Sequence, residues 1–266
     1  RRRVNTRHHA SLHHVYFPRA VYYDRIINYL ATDIIAISEN VRNILVNWEK
    51  TPAAKVQLIH HGFRLNLFQS VAAGQVEALQ QRYGTQGCFP VVGVIARQTH
   101  WKGIQYIIPA FAELLKHYPQ AHLLLANAHG DYQAEIQARL QTLPAESYTQ
   151  IRFEDNLFAL YKLFDLHVHT PIDAHSEAFG QTYVEALAAG VPSVFSLSGV
   201  APEFIVHEKN ALVVPFQDSD SVYRAMHRLL NESALRQALI NQGRQDVQIH
   251  FGLDKMIKSL EMLYQC

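Results

Sequence analysis

Cysteine is nearly absent, with Cys88 and Cys266 the only two in 266 residues. Two cysteines build no disulfide framework, and without a C-x-x-C there is neither a zinc knuckle nor a redox pair; the expected setting is reducing and cytoplasmic. An excess of one charge is missing as well. Lys and Arg number 24 against 23 Asp and Glu, a formal net charge of +1. A general nucleic-acid binder carries a clear basic excess, so no nucleic-acid partner is expected. No window holds the ~18 uninterrupted apolar residues that a membrane-spanning helix needs. The opening RRRVNTRHHA lacks the apolar stretch of a signal peptide. The first residue is not Met, so the sequence is expected to begin inside a longer chain. Four catalytic signatures are also absent: G-x-G-x-x-G, G-x4-G-K-[ST], H-E-x-x-H and G-x-S-x-G. Their absence argues against a dehydrogenase, a P-loop enzyme, a zincin and a serine hydrolase.

What is present is a core and a rhythm. Apolar residues make up 48% of the chain, which excludes a disordered or low-complexity chain. TDIIAIS contains a compact run suited to a buried strand, and Ser38 then caps a helix over SENVRNILVNW with Val41, Leu45 and Trp48 on its apolar face. VQLIHHG (56–62) reads as a short strand ending at glycine. From Cys88 the alternation becomes regular. FPVVGVIA, HLLLAN, YTQIRF, DLHVHTP, PSVFS and ALVVP read as strands. Between them KGIQYIIPAFAELLKHY, DYQAEIQARLQTL, LFALYKLF and GQTYVEALAAG read as helices, PEFIVHEK as a short one, and two more helices finish the chain. In the first of these helices Ile104, Ile107, Ile108, Phe111, Leu114 and Leu115 share a face. Alternation of this kind predicts an α/β fold with a doubly wound, Rossmann-like parallel sheet.

Open parallel sheets bind ligands beyond the carboxyl ends of their strands, so the strand-to-helix joins are where chemistry is sought. Two stand out. In VVGVIARQTHWKG, Arg97 and Lys102 lie in the loop after the first regular strand, and two cations there suit a diphosphate. In HTPIDAHSEAFGQTYVEALAAG, Glu177 precedes a helix and Glu185 lies within its first two turns. Gly180 at the helix start lets the N–H groups of Phe179, Gly180 and Gln181 point at an anion, with the helix dipole adding roughly half a positive charge. Glu185 lies ~7 Å along the axis, an offset that fits the step from a phosphate to its ribose. Taken alone, the Arg–Lys pair reads more readily as a solvated basic loop, and the glutamate pair equally well as two unrelated residues on a surface helix.

Together the segments resemble the large GT-B retaining glycosyltransferases, the group called family 4. EAFGQTYVEALAAGVPSV is similar to that family's E-x7-E signature, and ARQTHWKGIQYIIPAFAELLKHYPQAHLLL to its R-x4-K-G segment. LYKLFDLHVHTP and SGVAPEFIVHEKNALVVPFQD resemble the stretches before and after the signature. IIAISENVRNILVNW and KVQLIHHGF resemble the end of the first domain and its linker. The resemblance covers nearly the whole chain.

It implies two Rossmann-like units: residues 1–62 as a partial acceptor-side domain with its linker, and residues 63–266 as the nucleotide-sugar-binding domain with terminal helices. It implies transfer of a sugar from a nucleoside-diphosphate sugar to a carbohydrate or lipid-linked acceptor, with retention and without a metal or other cofactor. Arg97 and Lys102 would hold the diphosphate, Glu177 the donor sugar and Glu185 the ribose. Phe179, Gly180, Gln181 and Thr182 would offer amides to phosphate, and Arg152 to Asp155 would lie near the base. TRHHAS resembles the segment whose histidine lines the sugar side of the cleft, which maps to His8. His9, His13 and His14 invite a metal reading, but no carboxylate or cysteine is expected to complete such a site. His167 and His169 alternate on one strand face, as packed residues do. LLLANAHGD departs from the family's glycine-rich turn, which leaves nucleotide identity open. A non-catalytic nucleotide-sugar binding module remains an alternative, as does another GT-B enzyme such as a phosphorylase or nucleotide-sugar epimerase. The RRR run leaves peripheral contact with the inner face of a membrane open, and the oligomeric state is not indicated.

Overall fold

The computed structural model describes residues 2–265; Arg1 of the basic run and Cys266 lie outside the described residues. The first unit comprises β1 (Val4–Arg7), α1 (Leu12–Tyr16), α2 (Ala20–Leu30), β2 (Asp33–Ala36), α3 (Glu39–Asn43) and β3 (Val56–Leu58). Its strands form a parallel sheet in the order β1-β2-β3. Ser38 caps α3, its Oγ accepting from the Val41 N–H at 3.1 Å, which satisfies one of the helix's orphan donors. The helix then loosens into a π turn over Ile44–Trp48. The wider turn rotates the apolar face: Ile44 and Leu45 are buried, whereas Trp48, expected inside, is 38% exposed. The strand expected over 56–62 stops at Leu58, where its pairing with Ala36 ends, and His60 and His61 leave the sheet.

Helix α2 turns its polar side inward. Asp24 and Asn28 are buried, while Tyr22, Tyr23, Ile26 and Tyr29 face outward. The cause lies in β1. Arg7 is buried, and its guanidinium pairs with Asp24 at 3.1 Å and Glu49 at 2.7 Å and donates to Asn28 Oδ1 at 3.2 Å. A buried guanidinium left unpaired would cost several kcal/mol, so the helix presents its acid and amide to it.

The second unit begins with α4 (Ala73–Tyr83) and continues through β4 (Val91–Ile95), α5 (Ile104–Leu115), β5 (His122–Ala126), α6 (Gln133–Leu140), β6 (Tyr148–Ile151), α7 (Leu157–Tyr161), β7 (Leu166–His169), α8 (Gln181–Ala189), β8 (Ser193–Phe195) and β9 (Leu212–Val213). All six strands are parallel, in the order β6-β5-β4-β7-β8-β9. Helices cover both faces. Val92 and Val94 pack toward Ile104, Ile107, Ile108, Phe111 and Leu114 of α5, while Val91 and Ile95 belong to the cluster of Tyr183, Val184 and Leu187 on α8. Each fully buried aliphatic or aromatic side chain contributes about 1.5–3 kcal/mol. Leu115, placed with them by periodicity, is only partly buried at the cluster's edge.

Two expectations about the end of the chain change. PEFIVHEK contributes only a 3-10 turn, Ala201–Glu203, because Phe204 and Ile205 are drawn into the core. Three helices close the chain, α9 (Ser219–Asn231), α10 (Ser233–Phe251) and α11 (Leu253–Gln265). Gly252 is extended between the last two, where Phe63 pairs alongside it and interrupts the helical ladder. Leu260 and Leu263 of α11 then pack with Ile35 and Ile59, so the last helix returns to the first unit.

Candidate active site

The strand order of the second sheet reads 3-2-1-4-5-6 when its strands are counted from β4. Chain direction across the sheet reverses between β4 and β7, and a crevice opens where their following loops part. Those are the two loops that carry the candidate residues. A cleft of about 400 Å³ lies there, lined among others by Arg97, Lys102, Glu177, Gly180, Thr182 and His8.

Arg97 follows β4 by two residues and is exposed at the rim. Lys102 closes the 3-10 turn His100–Lys102, and Gly103 follows at φ +73°. A Cβ on Gly103 would lie 1.8 Å from the Thr170 carbonyl oxygen, so only glycine lets this turn lie against the end of β7. The Lys102 ammonium donates to Glu177 Oε1 at 2.5 Å.

Glu177 is held from several sides. Its N–H donates to Ser198 Oγ at 3.0 Å, and its carbonyl accepts from Asn40 Nδ2 at 2.7 Å. Asn40 Oδ1 accepts from His175 Nδ1 at 2.6 Å, and Ser38 Oγ donates to the Ala178 carbonyl at 2.5 Å. The start of α3 in the first unit thereby clamps the acidic loop of the second. Burial alone would push the Glu177 pKa up, but the Lys102 ammonium and the adjacent His169 outweigh it and hold the carboxyl at about 2. It is ionised at any working pH.

Gly180 precedes α8 at φ +84°, and a Cβ there would strike the Tyr183 ring at 2.5 Å. Tyr183 packing therefore demands this glycine before any consideration of ligand clearance. Phe179, Gly180, Gln181 and Thr182 all line the cleft. As the opening residues of α8, Gln181 and Thr182 have N–H groups with no carbonyl in a preceding turn to accept them. Thr182 Oγ1 is buried without a hydrogen-bond partner among the described residues, an orphan that a ligand oxygen could satisfy.

Glu185 is placed differently. It is buried, outside the residues that line the cleft, and its Oε2 accepts from Tyr161 OH at 2.9 Å. Burial raises its pKa to about 7, with the Tyr161 hydrogen bond acting the other way. Arg152 to Asp155 do not line the cleft either. Glu154 is engaged by Tyr83 and Arg82, a structural pairing away from the crevice.

His8 lines the cleft and stacks on His61, with ring centroids 5.4 Å apart. His61 in turn meets Phe179 edge-on at 4.9 Å. The reading that no carboxylate accompanies the neighbouring histidines is corrected by α2, which brings Asp24 to 2.7 Å from His13 and 3.4 Å from His9. Arg7 Nη1 lies 3.1 Å from Asp24 and 3.0 Å from His9 Nε2, so a cation already occupies that corner and opposes a second one.

Sequence reasoning passes over His61 and Asn40, marks Asn127 only as part of a departure from the family pattern, and gives His169 a packing role alone. Asn127 lines the cleft at φ +59° in the turn where the resembled family often has glycine; asparagine is the side chain that tolerates that conformation best. His169 does pack on β7, yet its Nε2 lies 3.2 Å from Glu177 Oε1. Its position at the carboxyl end of a strand is the signal that could have found it.

A two-unit α/β architecture with a polar crevice at the switch point of a parallel sheet defines the class. Within it, the family model described as Glycosyl transferases group 1 matches residues 75–246. The chain belongs to that family. An uncharacterised glycosyltransferase of Methanocaldococcus jannaschii is 27% identical over 244 residues, covering 89% of this chain and 60% of that protein. The capsular polysaccharide biosynthesis glycosyltransferase CapM of Staphylococcus aureus is 21% identical over 91% of this chain and 63% of its own length. The chain thus spans a little over half the length of these relatives. Among solved structures, Anabaena HepE in complex with UDP-glucose superposes with a TM-score of 0.89 at 22% identity, over 100% of this chain and 73% of that one. This likeness establishes the fold as that of the GT-B glycosyltransferases. No helix among the described residues is long and apolar enough to cross a membrane.

Proposed function

We propose that this protein binds a nucleoside-diphosphate sugar and transfers its sugar to a carbohydrate or lipid-linked acceptor with retention, without a metal ion. The observation that carries the reading is the convergence of Arg97, Lys102, Glu177 and the start of α8 on one cleft. A departing diphosphate gains negative charge in the transition state, and preorganised cations and dipoles aimed at it lower the barrier. Arg97 and Lys102 supply two charges, and the α8 N-terminus adds amide donors and roughly half a charge more. Glu177, fixed by its backbone clamp, faces the donor sugar. Retention follows if the acceptor attacks from the leaving group's side and the leaving phosphate takes the acceptor's proton. Glu185 receives the ribose hydroxyls once the nucleotide opens a path past Tyr161. The UDP-glucose that HepE holds makes uridine nucleotides the first to test.

Calorimetric titration of the chain with UDP, GDP and ADP is expected to give saturable binding of at least one, unchanged by EDTA. Binding that requires a divalent ion, or no binding at all, would overturn the reading. A second result is expected at Glu185. Its raised pKa means that the folded protein keeps a proton the unfolded chain releases near 4.5, so stability falls as pH rises from about 4.5 to about 7. Glu185→Gln is expected to relieve up to about 3 kcal/mol of this at pH 8 and almost none at pH 4.5. The same change should weaken nucleoside diphosphate binding about tenfold through lost ribose contacts. Melting temperatures across pH, with the same titrations, test both halves; a variant less stable than the parent at pH 8 would refute the first.

A further inference from the structure

His169 is a buried imidazole at the end of β7 that phosphate binding leaves without a task. Its Nε2 stands 3.2 Å from Glu177 Oε1, the oxygen to which Lys102 already donates at 2.5 Å. Neither ring nitrogen makes a well-formed hydrogen bond among the described residues, so the ring acts on the carboxylate by proximity, without an aligned bond to it. The Tyr183 ring packs edge-on against it at 4.8 Å and fixes its place. The titratable groups facing it are Glu177 from the acidic loop, Lys102 from the turn after β4, Tyr183 from α8 and His167 on its own strand. His167 is fully buried, with its pKa lowered by burial to about 3, and stays neutral. Tyr183 donates to the Ser196 carbonyl and stays protonated.

A diphosphate entering this cleft changes that balance. Lys102 lines the cleft beside Arg97 and is drawn toward the phosphate oxygens. Glu177 would then be a buried anion, short of its ammonium and close to further negative charge, a costly arrangement unless another cation takes the vacated place. His169 is the group within reach. We propose that His169 is a positioning residue that takes hold of Glu177 when a diphosphate draws Lys102 away, accepting a proton from solvent as it does so. The neutral ring suits the free state, where burial first, with Lys102 beside it, outweighs the pull of Glu177 and lowers the ring's pKa. The imidazolium suits the loaded state, where it keeps the carboxylate aimed at the sugar. The step balances: one proton leaves the buffer, binds the free ring nitrogen, and returns when the diphosphate departs.

This rests on the reading of the cleft as a diphosphate site, and the test separates the two. UDP, GDP and ADP are titrated into the chain at pH 7.5 in PIPES, HEPES and Tris, whose different ionisation enthalpies report protons exchanged on binding. Uptake approaching one proton is expected. His169→Gln keeps an N–H for Glu177 but cannot titrate, so binding should persist with the uptake lost and the affinity no longer falling as pH rises from 7 to 9. Glu177→Gln removes the carboxylate that calls the proton in and should abolish uptake with His169 intact, which keeps the test valid should His169→Gln fold poorly. Uptake that survives both substitutions would belong to His8 or His61 and overturn the proposal. So would binding with no uptake in the parent chain. No nucleoside diphosphate binding at all would overturn this proposal together with the reading beneath it.

Discussion

Lys102→Ala is expected to lower nucleoside diphosphate affinity and sugar transfer by about 10²–10³-fold, the effect of removing one preorganised charge from a developing anion. The same substitution acts on the fold. Lys102 and Glu177 form a pair with side-chain exposures of 17% and 9%, and removing one partner of such a pair typically costs about 3–5 kcal/mol. Burial then dominates the carboxyl's environment, and its pKa rises from about 2. In the parent chain, Glu177 contributes stability that is present above about pH 4.5 and lost as pH falls from there toward 2. In the variant that acid limb moves to higher pH. Thermal unfolding between pH 3 and 8, with nucleotide titrations at neutral pH, measures both consequences. Parent-like affinity in Lys102→Ala would remove Lys102 from the diphosphate site, and an unmoved acid limb would contradict its role as the partner of Glu177.

The largest purely structural effect is expected at Gly103. Alanine there meets two penalties: a left-handed backbone, at about 1–2 kcal/mol, and a Cβ placed 1.8 Å from the Thr170 carbonyl oxygen. The turn must shift, and Lys102, its neighbour, shifts with it. Gly84 provides the control: it has φ +67°, and a Cβ added there meets nothing within 4 Å, so Gly84→Ala incurs the backbone penalty alone. Gly103→Ala should therefore melt well below Gly84→Ala, by about 5 °C or more at roughly 2–4 °C per kcal/mol for a chain of this size. Its nucleotide binding should fall as well, whereas that of Gly84→Ala should not. Equal melting temperatures for the two variants would show that the turn tolerates a side chain.

Elements whose structure is set locally were legible. Val91–Ile95 and Leu123–Ala126 are apolar runs suited to strands covered on both faces, and the strands that contain them are fully buried. The apolar face of α5 follows from a 3.6-residue period, Ser38 from the chemistry of a helix start, and the close of α8 from Gly190. That Lys102 and Glu177 belong to one site was legible only through the family resemblance of their two segments, since neither loop taken alone pointed to the other. Where length was the question, as at 56–62 and in PEFIVHEK, the local pattern overran, because pairing partners elsewhere decide where an element stops.

The sequence by itself determined an α/β chain with a parallel sheet and two charged strand-end loops, since each of those depends on residues within a few positions of one another. Tertiary structure alone decided that His169 faces Glu177, that Asn40 clamps the acidic loop from the other unit, and that Asp24 meets Arg7, His9 and His13. These contacts join residues far apart in the chain, and their strength comes from burial. A histidine, an asparagine or an aspartate acquires its meaning only when the fold removes water and chooses its neighbour.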